Sequence, residues 1–284
     1  MRTFAGIEEQ YADFDKAAIL LQPIPYDGTS TWGKGADRGV EAFMEAAENM
    51  EVYDIETDSE VYRRGIHVLP PVLERSSPEA MFHATYKKSA ELLETGKFLT
   101  FLGGEHSISI GVIRAFYEKN PGISVLQLDA HTDLRPEYLG TPYNHACALH
   151  DASKNTNLVQ VGIRSMDRSE TEYLDPEKCF YAKEIRQTKS WMYRAAEMLG
   201  DKVYITLDLD VFDPSVMPAT GTPEPGGLDW HTVTAFLKFV FRKKDVLGFD
   251  IVELAPIDGI RAPEFLVAKL YYKMLSYKFE CDEK

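Results

Sequence analysis

The sequence predicts a three-layer α/β/α domain with a mostly parallel central sheet, and three observations support this fold class. Short runs of β-branched and aliphatic residues recur along the chain, and their nearly continuous apolar character suits strands covered on both faces. Helical segments lie between these runs, which is the alternation expected of a parallel α/β sheet. Glycine-rich coil follows several of the runs, at the strand ends where such sheets bind ligands.

Six of the apolar runs are predicted to be strands. They span residues 17–26, 98–104, 123–131, 158–165, 202–214 and 246–256. No repeat, low-complexity linker or domain boundary interrupts this alternation. We therefore expect a single domain over residues 1–284.

Three of the segments between or after the strands are predicted to be helices. The first has Ser77 as its N-cap, Pro78 in its first turn and Gly96 as its stop signal. The other two are expected in residues 188–202 and in residues 229–244, the last with Asp229 as its N-cap.

Composition limits the classes of partner. The chain has 284 residues, of which 44% are hydrophobic and 27% charged, as in ordinary soluble domains. Its net charge of -14 argues against binding to nucleic acid or to an anionic membrane surface, because both require a concentrated positive patch. The charge suits a cationic substrate or bound metal ions, although a solvated acidic surface that favours solubility accounts for most of it.

The cysteines and the apolar runs bear on the compartment. Cys147, Cys179 and Cys281 are odd in number and lack C-x-x-C spacing, so a reducing compartment is expected rather than a disulfide framework. The N-terminal segment lacks the apolar core of a signal peptide. No apolar run approaches the roughly 18 residues needed to cross a membrane. We therefore expect a cytoplasmic protein.

Four predicted strands end in ionisable residues that a buried strand would not otherwise carry. These are His106 in "GGEHS", Asp129, His131 and Asp133 in "DAHTD", Asp208 and Asp210 in "LDLDVFDP", and Glu253 in "DIVELAP". Alternate positions of a strand face the same side, so Asp208 and Asp210 are expected to share a face, as are the three residues of "DAHTD". Each residue alone could be a helix cap or a loop histidine.

Together these residues predict a binuclear metal site, because several buried carboxylates without compensation would repel one another. The candidate ligands are His106, Asp129, His131, Asp133, Asp208 and Asp210. Two divalent cations would neutralise the four carboxylates. An oxygen-rich set with a minority of imidazoles favours Mn²⁺ over a structural Zn²⁺. A pair of such ions makes a nucleophile available from water at neutral pH.

The motifs "GGEHS", "DAHTD", "LDLDVFDP" and "TGTPEPGG", in this order, resemble those of the ureohydrolase family of arginases and agmatinases. The resemblance covers nearly the whole chain and is greater to agmatinase than to arginase. It implies a parallel α/β/α sheet, two Mn²⁺ ions per chain and hydrolysis of a guanidino group to urea and an amine. It also implies a homo-oligomer, either a trimer or a hexamer.

The resemblance assigns roles to individual residues. One manganese ion would be held by His106, Asp129, Asp133 and Asp208, and the other by Asp129, His131, Asp208 and Asp210, with Asp129 and Asp208 bridging. His145 in "YNHAC" matches the family histidine that shuttles protons near the entrance. Glu253 matches the glutamate that receives the guanidinium group, and Asp133 would pass a proton to the departing amine.

The substrate is where this sequence departs from the family. Arginases carry an asparagine two residues after the last aspartate of "DAHTD", where this chain has Arg135. Arginine is therefore disfavoured, and agmatine, giving putrescine and urea, is the expected substrate. If Arg135 reaches the tail of the substrate, a guanidino acid such as 4-guanidinobutyrate is favoured instead. The run "HACALHD" after the shuttle position also differs from many agmatinases, so aminopropylagmatine and other guanidines stay open.

Two alternatives lie outside this activity. A mononuclear zinc deacetylase shares the general fold and an Asp-x-His ligand set, but it would not need His106 and a second pair of aspartates. A catalytically silent relative need not keep His145 and Glu253. Among the other polar residues, Glu105 is expected to orient the loop backbone and His150 to be a surface histidine.

Overall fold

A computed structural model of the protein describes residues 2–188 and 190–280. Within these residues, eight strands form one sheet: β1 (Ile19–Ile24), β2 (Ile66–Val68), β3 (Phe98–Gly103), β4 (Ser124–Leu128), β5 (Asn157–Ile163), β6 (Cys179–Tyr181), β7 (Lys202–Asp208) and β8 (Asp245–Val252). The strand order is β2-β1-β3-β8-β7-β4-β5-β6, and every neighbouring pair is parallel.

The α-helices in the same residues are α1 (Glu9–Ala12), α2 (Gly39–Ala47), α3 (Pro78–Leu93), α4 (Ile108–Lys119), α5 (His150–Asn155), α6 (Ala182–Ile185), α7 (Ser190–Met198), α8 (Trp230–Lys243) and α9 (Ala262–Phe279). The predicted caps are present. Ser77 Oγ accepts from the Ala80 amide at 3.1 Å before α3, and Asp229 Oδ1 accepts from the Thr232 amide at 2.7 Å before α8. Lys189, in the helix predicted over residues 188–202, lies outside the described residues.

Helices cover both faces of the sheet, and each face has its own hydrophobic core. Helices α3, α4 and α5 cover one face, where Phe116 packs in the same core as Tyr204 of β7. Helices α2, α7, α8 and α9 cover the other face, where Phe236 and Tyr271 belong to the same core as Ile205. Tyr204 and Ile205 are consecutive residues, so their burial in different cores reflects a strand covered on both sides. The predicted three-layer α/β/α fold is confirmed.

The predicted strands exist, but they end earlier than expected at the site. β4 ends at Leu128, so the "DAHTD" residues lie in the loop beyond it. β7 ends at Asp208, and Leu209–Val211 form a short 3-10 helix in which Asp208 Oδ1 accepts from the Asp210 amide at 2.8 Å. The prediction that Asp208 and Asp210 share a strand face is therefore wrong, because this cap turns the chain out of the sheet.

The central strands explain where the site forms. β3, β8, β7 and β4 are neighbours, and their carboxyl ends lie at the same edge of the sheet. The segments that follow them are "GGEHS", Glu253, the Asp208 turn and "DAHTD". Parallel strands bring such segments together, as ligand sites of open α/β sheets require.

Two further features concern the helices and the cysteines. Among the described helices, none combines the length and the apolar character that crossing a membrane requires. Cys147 and Cys179 are buried and free, while Cys281 lies outside the described residues.

Candidate metal centre

One buried histidine nitrogen faces three carboxylates. The Nδ1 atom of His106 lies 3.0 Å from Asp133 Oδ2. The Oδ2 atoms of Asp129 and Asp208 lie 3.2 Å and 3.3 Å from the same nitrogen. All four side chains are buried, and Nδ1 has no hydrogen-bond partner in the part of the chain that the structure describes.

The other ring nitrogen explains this orientation. His106 Nε2 lies 2.9 Å from Thr206 Oγ1, and the Thr206 hydroxyl donates to Asp250 Oδ1 at 2.6 Å. A hydroxyl has one proton, and because Thr206 gives it to Asp250, Nε2 must be the donor to Thr206. Nδ1 therefore faces the three carboxylates with no proton of its own whenever the ring is neutral. Burial lowers the pKa of His106, but these carboxylates outweigh burial and raise it well above its usual range. The position thus favours a cation, either a proton on Nδ1 or a metal ion held between these groups.

His131 forms a second group with two aspartates. Its Nδ1 atom lies 2.9 Å from Asp210 Oδ2 and 3.7 Å from Asp129 Oδ1. Two sets of three residues have ligand atoms within 4.8 Å of one another, namely His106, Asp129 and Asp208, and Asp129, His131 and Asp210. Asp129 belongs to both sets, as a bridging ligand would. Asp133 stands beside the first set, and among the described residues Asp208 is not part of the second.

Hydrogen bonds hold the carboxylates at the ends of β4 and β7. Asp129 Oδ1 accepts from the His131 amide at 2.6 Å, and its Oδ2 accepts from the Gln127 side chain at 2.7 Å. Asp210 Oδ1 accepts from the Ala130 amide at 2.9 Å, which ties the two loops together. Fixed orientations of this kind are what metal ligands need.

Two of the predicted site residues have a left-handed backbone, which is uncommon for residues other than glycine. The φ angles are +52° at Asp133 and +69° at Glu253. Glu253 Oε1 accepts from the His106 amide at 2.8 Å, which joins the ends of β8 and β3. Backbone strain persists where the surrounding structure enforces it, and such positions cluster at functional sites.

Burial and mutual repulsion shift the pKa values of the acids. Burial raises the pKa of Asp208 well above its usual range, and the charge of Asp210 raises it further. Burial raises the pKa of Asp133 to about 7, with Asp129 adding to the shift. Burial also raises the pKa of Glu253. A nearby cation would stabilise the ionised form of such buried carboxylates.

A cavity of about 290 Å³ opens onto these groups, and all three predicted catalytic residues, Asp133, His145 and Glu253, line it. Burial lowers the pKa of His145 to about 4, so its imidazole is neutral near pH 7. The cavity therefore combines candidate metal ligands, a neutral imidazole and a buried carboxylate.

Arg135 forms part of the wall of this cavity. Its guanidinium carbon lies 4.4 Å from the centre of the Tyr138 ring. Its Nη2 and Nε atoms lie 3.9 Å from carboxylate oxygens of Asp167 and Glu170, respectively. Arg135 is thus engaged by an aromatic ring and two acids.

The sequence did not single out several residues that support the site. Asp250 interrupts an apolar strand, which is the same signal that identified Asp129, and could have been found in that way. Thr206 gave no such signal, because threonine is common in strands. Thr29, in the first glycine-rich loop, contacts His145.

Two residues outside the predicted ligand set can also be located. Glu105 accepts hydrogen bonds from the amides of Ser107 and Thr29, in agreement with its expected role in the loop backbone. His150 is half-buried, with Nδ1 2.8 Å from the Leu134 carbonyl oxygen and Nε2 2.6 Å from Lys154 Nζ in an exposed contact.

Residues 17–276 match the model of the arginase family. The N(1)-aminopropylagmatine ureohydrolase of Synechocystis sp. is 36% identical over 285 residues, which cover 96% of this chain and 92% of the relative. A protein of the same name from Thermus thermophilus is 36% identical over 274 residues, covering 95% and 93%. The crystal structure of the agmatine ureohydrolase of Thermoplasma volcanium has a TM-score of 0.87 at 28% identity, covering 96% and 94%.

These similarities extend over nearly the whole chain and agree with the parallel sheet and the clustered acids and histidines described above. They confirm the predicted family and fold. The chain belongs to the arginase family.

Proposed function

We propose that the chain hydrolyses the guanidino group of a small cationic substrate and releases urea and an amine. The observation that carries this proposal is that His106 Nδ1 faces three buried carboxylates within 3.3 Å in a chain of the arginase family. The cavity beside it contains Glu253, whose buried carboxylate suits a planar cation.

We propose two Mn²⁺ ions as the cofactor. One would be held by His106, Asp129, Asp133 and Asp208, and the other by Asp129, His131, Asp208 and Asp210. The oxygen-rich donor set with two imidazoles supports manganese. When bound, such a pair of ions activates water and stabilises the charge that develops on the substrate.

Glu253 would orient the guanidinium group. Its Oε1 atom accepts from the His106 amide, and its Oε2 atom makes no hydrogen bond with the described residues. Oε2 is therefore available to a guanidinium, which pairs with carboxylates through parallel N–H donors. The cation would also relieve the unfavourable ionisation of this buried carboxylate.

Asp133 and His145 would move protons. Asp133 lies against His106 and lines the cavity, so it can accept a hydrogen bond from the attacking water and pass the proton to the departing amine. His145 is neutral and lines the same cavity, so it can exchange protons between the site and solvent.

Agmatine is the first candidate substrate, with putrescine as the amine product. The absence of the asparagine of arginases supports it, and the contacts of Arg135 with Asp167 and Glu170 disfavour an acidic tail such as that of 4-guanidinobutyrate. The second candidate is N(1)-aminopropylagmatine, because two relatives at 36% identity carry its name. Asp167 in the cavity wall offers a carboxylate to an additional amine.

The test is urea release by Mn²⁺-loaded protein with agmatine, N(1)-aminopropylagmatine, 4-guanidinobutyrate and arginine side by side. We expect the highest kcat/KM with agmatine and the lowest with arginine. Elemental analysis should find two metal ions per chain, whereas a single zinc ion would indicate a mononuclear deacetylase. No urea from any guanidine would contradict the proposed activity and favour a catalytically silent relative.

We further propose a cytoplasmic homo-oligomer that acts in polyamine biosynthesis. The family resemblance supports a trimer or hexamer of the 32.2 kDa chain, and the absence of a disulfide-type cysteine pattern supports the compartment. Light scattering of the purified protein tests the assembly, and a monomer would contradict it.

A further inference from the structure

Thr29 connects a buried acid to the imidazole of His145. Its Oγ1 atom lies 2.9 Å from Glu105 Oε1 and 3.1 Å from His145 Nδ1. The same oxygen accepts from the His145 amide at 2.9 Å. Both Thr29 and Glu105 are buried, at 7% and 0% exposure, so water does not compete for these hydrogen bonds.

The number of protons available determines which group donates and which accepts in each of these hydrogen bonds. Glu105 accepts from the amides of Thr29 and Ser107 and from the Ser107 hydroxyl, so it acts as an acceptor on both oxygens. The single proton of the Thr29 hydroxyl therefore goes to Glu105. His145 Nδ1 must then donate to Thr29.

We propose that Thr29 is a positioning residue that holds His145 in its Nδ1–H tautomer, with the side chain of Glu105 as the final hydrogen-bond acceptor of the chain. In this tautomer Nε2 carries the lone pair, and it makes no hydrogen bond with the described residues. This inference rests on the proposed function, because it explains how His145 would serve in guanidine hydrolysis. Within the described part of the chain, the Thr29 hydroxyl bonds only to these two residues.

The proton movement follows from the tautomer. Nε2 accepts a proton from a water molecule in the cavity and leaves a hydroxide ion there, and the ring becomes an imidazolium whose Nδ1–H still donates to Thr29. The Thr29 hydroxyl still donates to Glu105, so its oxygen remains an acceptor for Nδ1–H of this cation. The proton then leaves Nε2 for bulk solvent, which restores the neutral ring. The opposite tautomer would direct an N–H at the cavity and could not accept the proton.

The first test observes the tautomer directly by ¹⁵N NMR of histidine-labelled full-length protein. Zn²⁺ replaces Mn²⁺ in this sample, because paramagnetic Mn²⁺ broadens the signals of the site. A His145→Gln variant assigns the His145 signals among the seven histidines of the chain. We expect a pyrrole-type shift at Nδ1 and a pyridine-type shift at Nε2. We expect Thr29→Val to abolish this preference and Thr29→Ser to restore it.

The second test separates positioning from folding and binding. Thr29→Val should lower kcat for urea release by about 10²-fold, the usual contribution of a positioned acid–base group. Its KM should stay within about twofold, because substrate binding is not affected. Thr29→Ser, which keeps the hydroxyl, should recover most of the rate. Thr85→Val, at a buried threonine of α3 whose hydroxyl donates to carbonyls of its own helix, is the matched control and should keep the wild-type rate.

Two results would overturn the inference. One is a wild-type His145 with its proton on Nε2, and the other is a Thr29→Val enzyme with wild-type kcat. If the wild-type chain releases no urea from any guanidine, the proposed function fails instead, and the NMR measurement still decides whether Thr29 sets the tautomer.

Discussion

At the scale of single residues, the site is supported by a chain of hydrogen-bonded polar side chains in the core. Asp250 is fully buried, and it accepts hydrogen bonds from Tyr204 at 2.7 Å and from Thr206 at 2.6 Å. Thr206 in turn accepts from His106 Nε2, so the side chains of Tyr204, Asp250 and Thr206 are satisfied and only Nδ1 of His106 is left facing the site. A satisfied network of this kind adds rigidity in a low-dielectric interior. It fixes the ring of His106 before any ion is bound.

Asp208 gives the first prediction. Asp208→Asn replaces a carboxylate that belongs to the first set of candidate ligands, so both metal content and urea release should fall together. The loss of kcat should exceed the roughly 10-fold to 100-fold effects of changing residues that only support a ligand. Elemental analysis and a urea assay measure the two quantities. Full metal content with full turnover would show that Asp208 is not a ligand.

A control for this variant is the same substitution at Asp229, which caps α8 through the Thr232 amide. Asparagine caps helices as well as aspartate does, so Asp229→Asn should keep both metal and activity.

Residues were predictable where their chemistry conflicted with their surroundings. Asp129 and Asp208 stood out because ionised groups do not follow apolar runs without a reason. Thr29 and Thr206 could not be found in this way. Each of these threonines matters because of the hydrogen bonds that its hydroxyl makes, and the residues at the other end of those bonds are far away in the sequence.

At the scale of elements, length and periodicity decided what could be predicted. The six long apolar runs were found, whereas β2 and β6 have three residues each and are too short to show a pattern. Helices α4 and α9 were not predicted because most of their side chains are buried, which leaves only a narrow polar stripe on each. The predicted ends of β4 and β7 lie too far along the chain. A polar turn after an apolar strand can show the same alternation of apolar and polar residues as the strand itself.

The segment after β3 gives the second prediction. A Cβ atom on Gly104 would lie 1.7 Å from the Tyr26 carbonyl oxygen, so only glycine fits there. Gly104→Ala should displace the loop that carries Glu105 and His106 and destabilise the fold by about 3 kcal/mol, as severe overpacking does. Urea denaturation measures the stability and elemental analysis the metal.

The matched substitution is Gly200→Ala, where the nearest atom to the new Cβ is the Ser124 hydroxyl at 3.2 Å. It should cost much less. Equal stability losses in the two variants would contradict the close approach at Gly104.

A cluster between a loop and two helices gives the third prediction, on pH. Glu56 accepts a hydrogen bond from Lys238 of α8, and it contacts Lys273 and Tyr277 of α9 at 2.7 and 2.9 Å. Burial raises the pKa of Glu56, but these three donors outweigh burial and lower the pKa to about 2. The folded pKa thus lies below the unfolded value of about 4.3. The stabilisation is therefore present above that value and is lost as the pH falls toward 2.

Glu56→Gln should accordingly lower the free energy of unfolding by about 1 kcal/mol at pH 6, a modest value because this side chain is partly solvated. The difference from wild type should shrink as the pH is lowered to about 3. Denaturation at several pH values measures it, with Glu45→Gln at an exposed position of α2 as the control. A difference that grows at low pH would show that the sign is wrong.

At the scale of the whole molecule, part of the net charge of -14 is concentrated at one place in the structure. Four of the carboxylates are concentrated in the buried metal centre, where they oppose folding unless a cation offsets them. Metal binding and stability are therefore expected to be coupled.

Chelation gives the fourth prediction. Removing the metal should lower the Tm, and restoring Mn²⁺ should reverse the change. Free metal at about a thousand times its Kd stabilises a single site by about 4 kcal/mol. Differential scanning calorimetry with and without chelator measures the effect. Asp208→Asn should respond weakly to chelator, and a wild-type Tm that does not change would contradict a metal centre at this place.

The order of strands in the sheet has a consequence for biosynthesis. β1 to β3 form one half of the sheet and β4 to β6 the other, and both halves are translated before β7 and β8. In the folded sheet β8 and β7 lie between the two halves, where β8 pairs with β3 and β7 pairs with β4. Until residues 202–252 leave the ribosome, the nascent chain holds two apolar half-sheets, each with an open inner edge. Such edges are targets for chaperones and for misassociation. The candidate metal ligands come from both halves and from the end of β7, so we expect metal binding to follow the insertion of the last two strands.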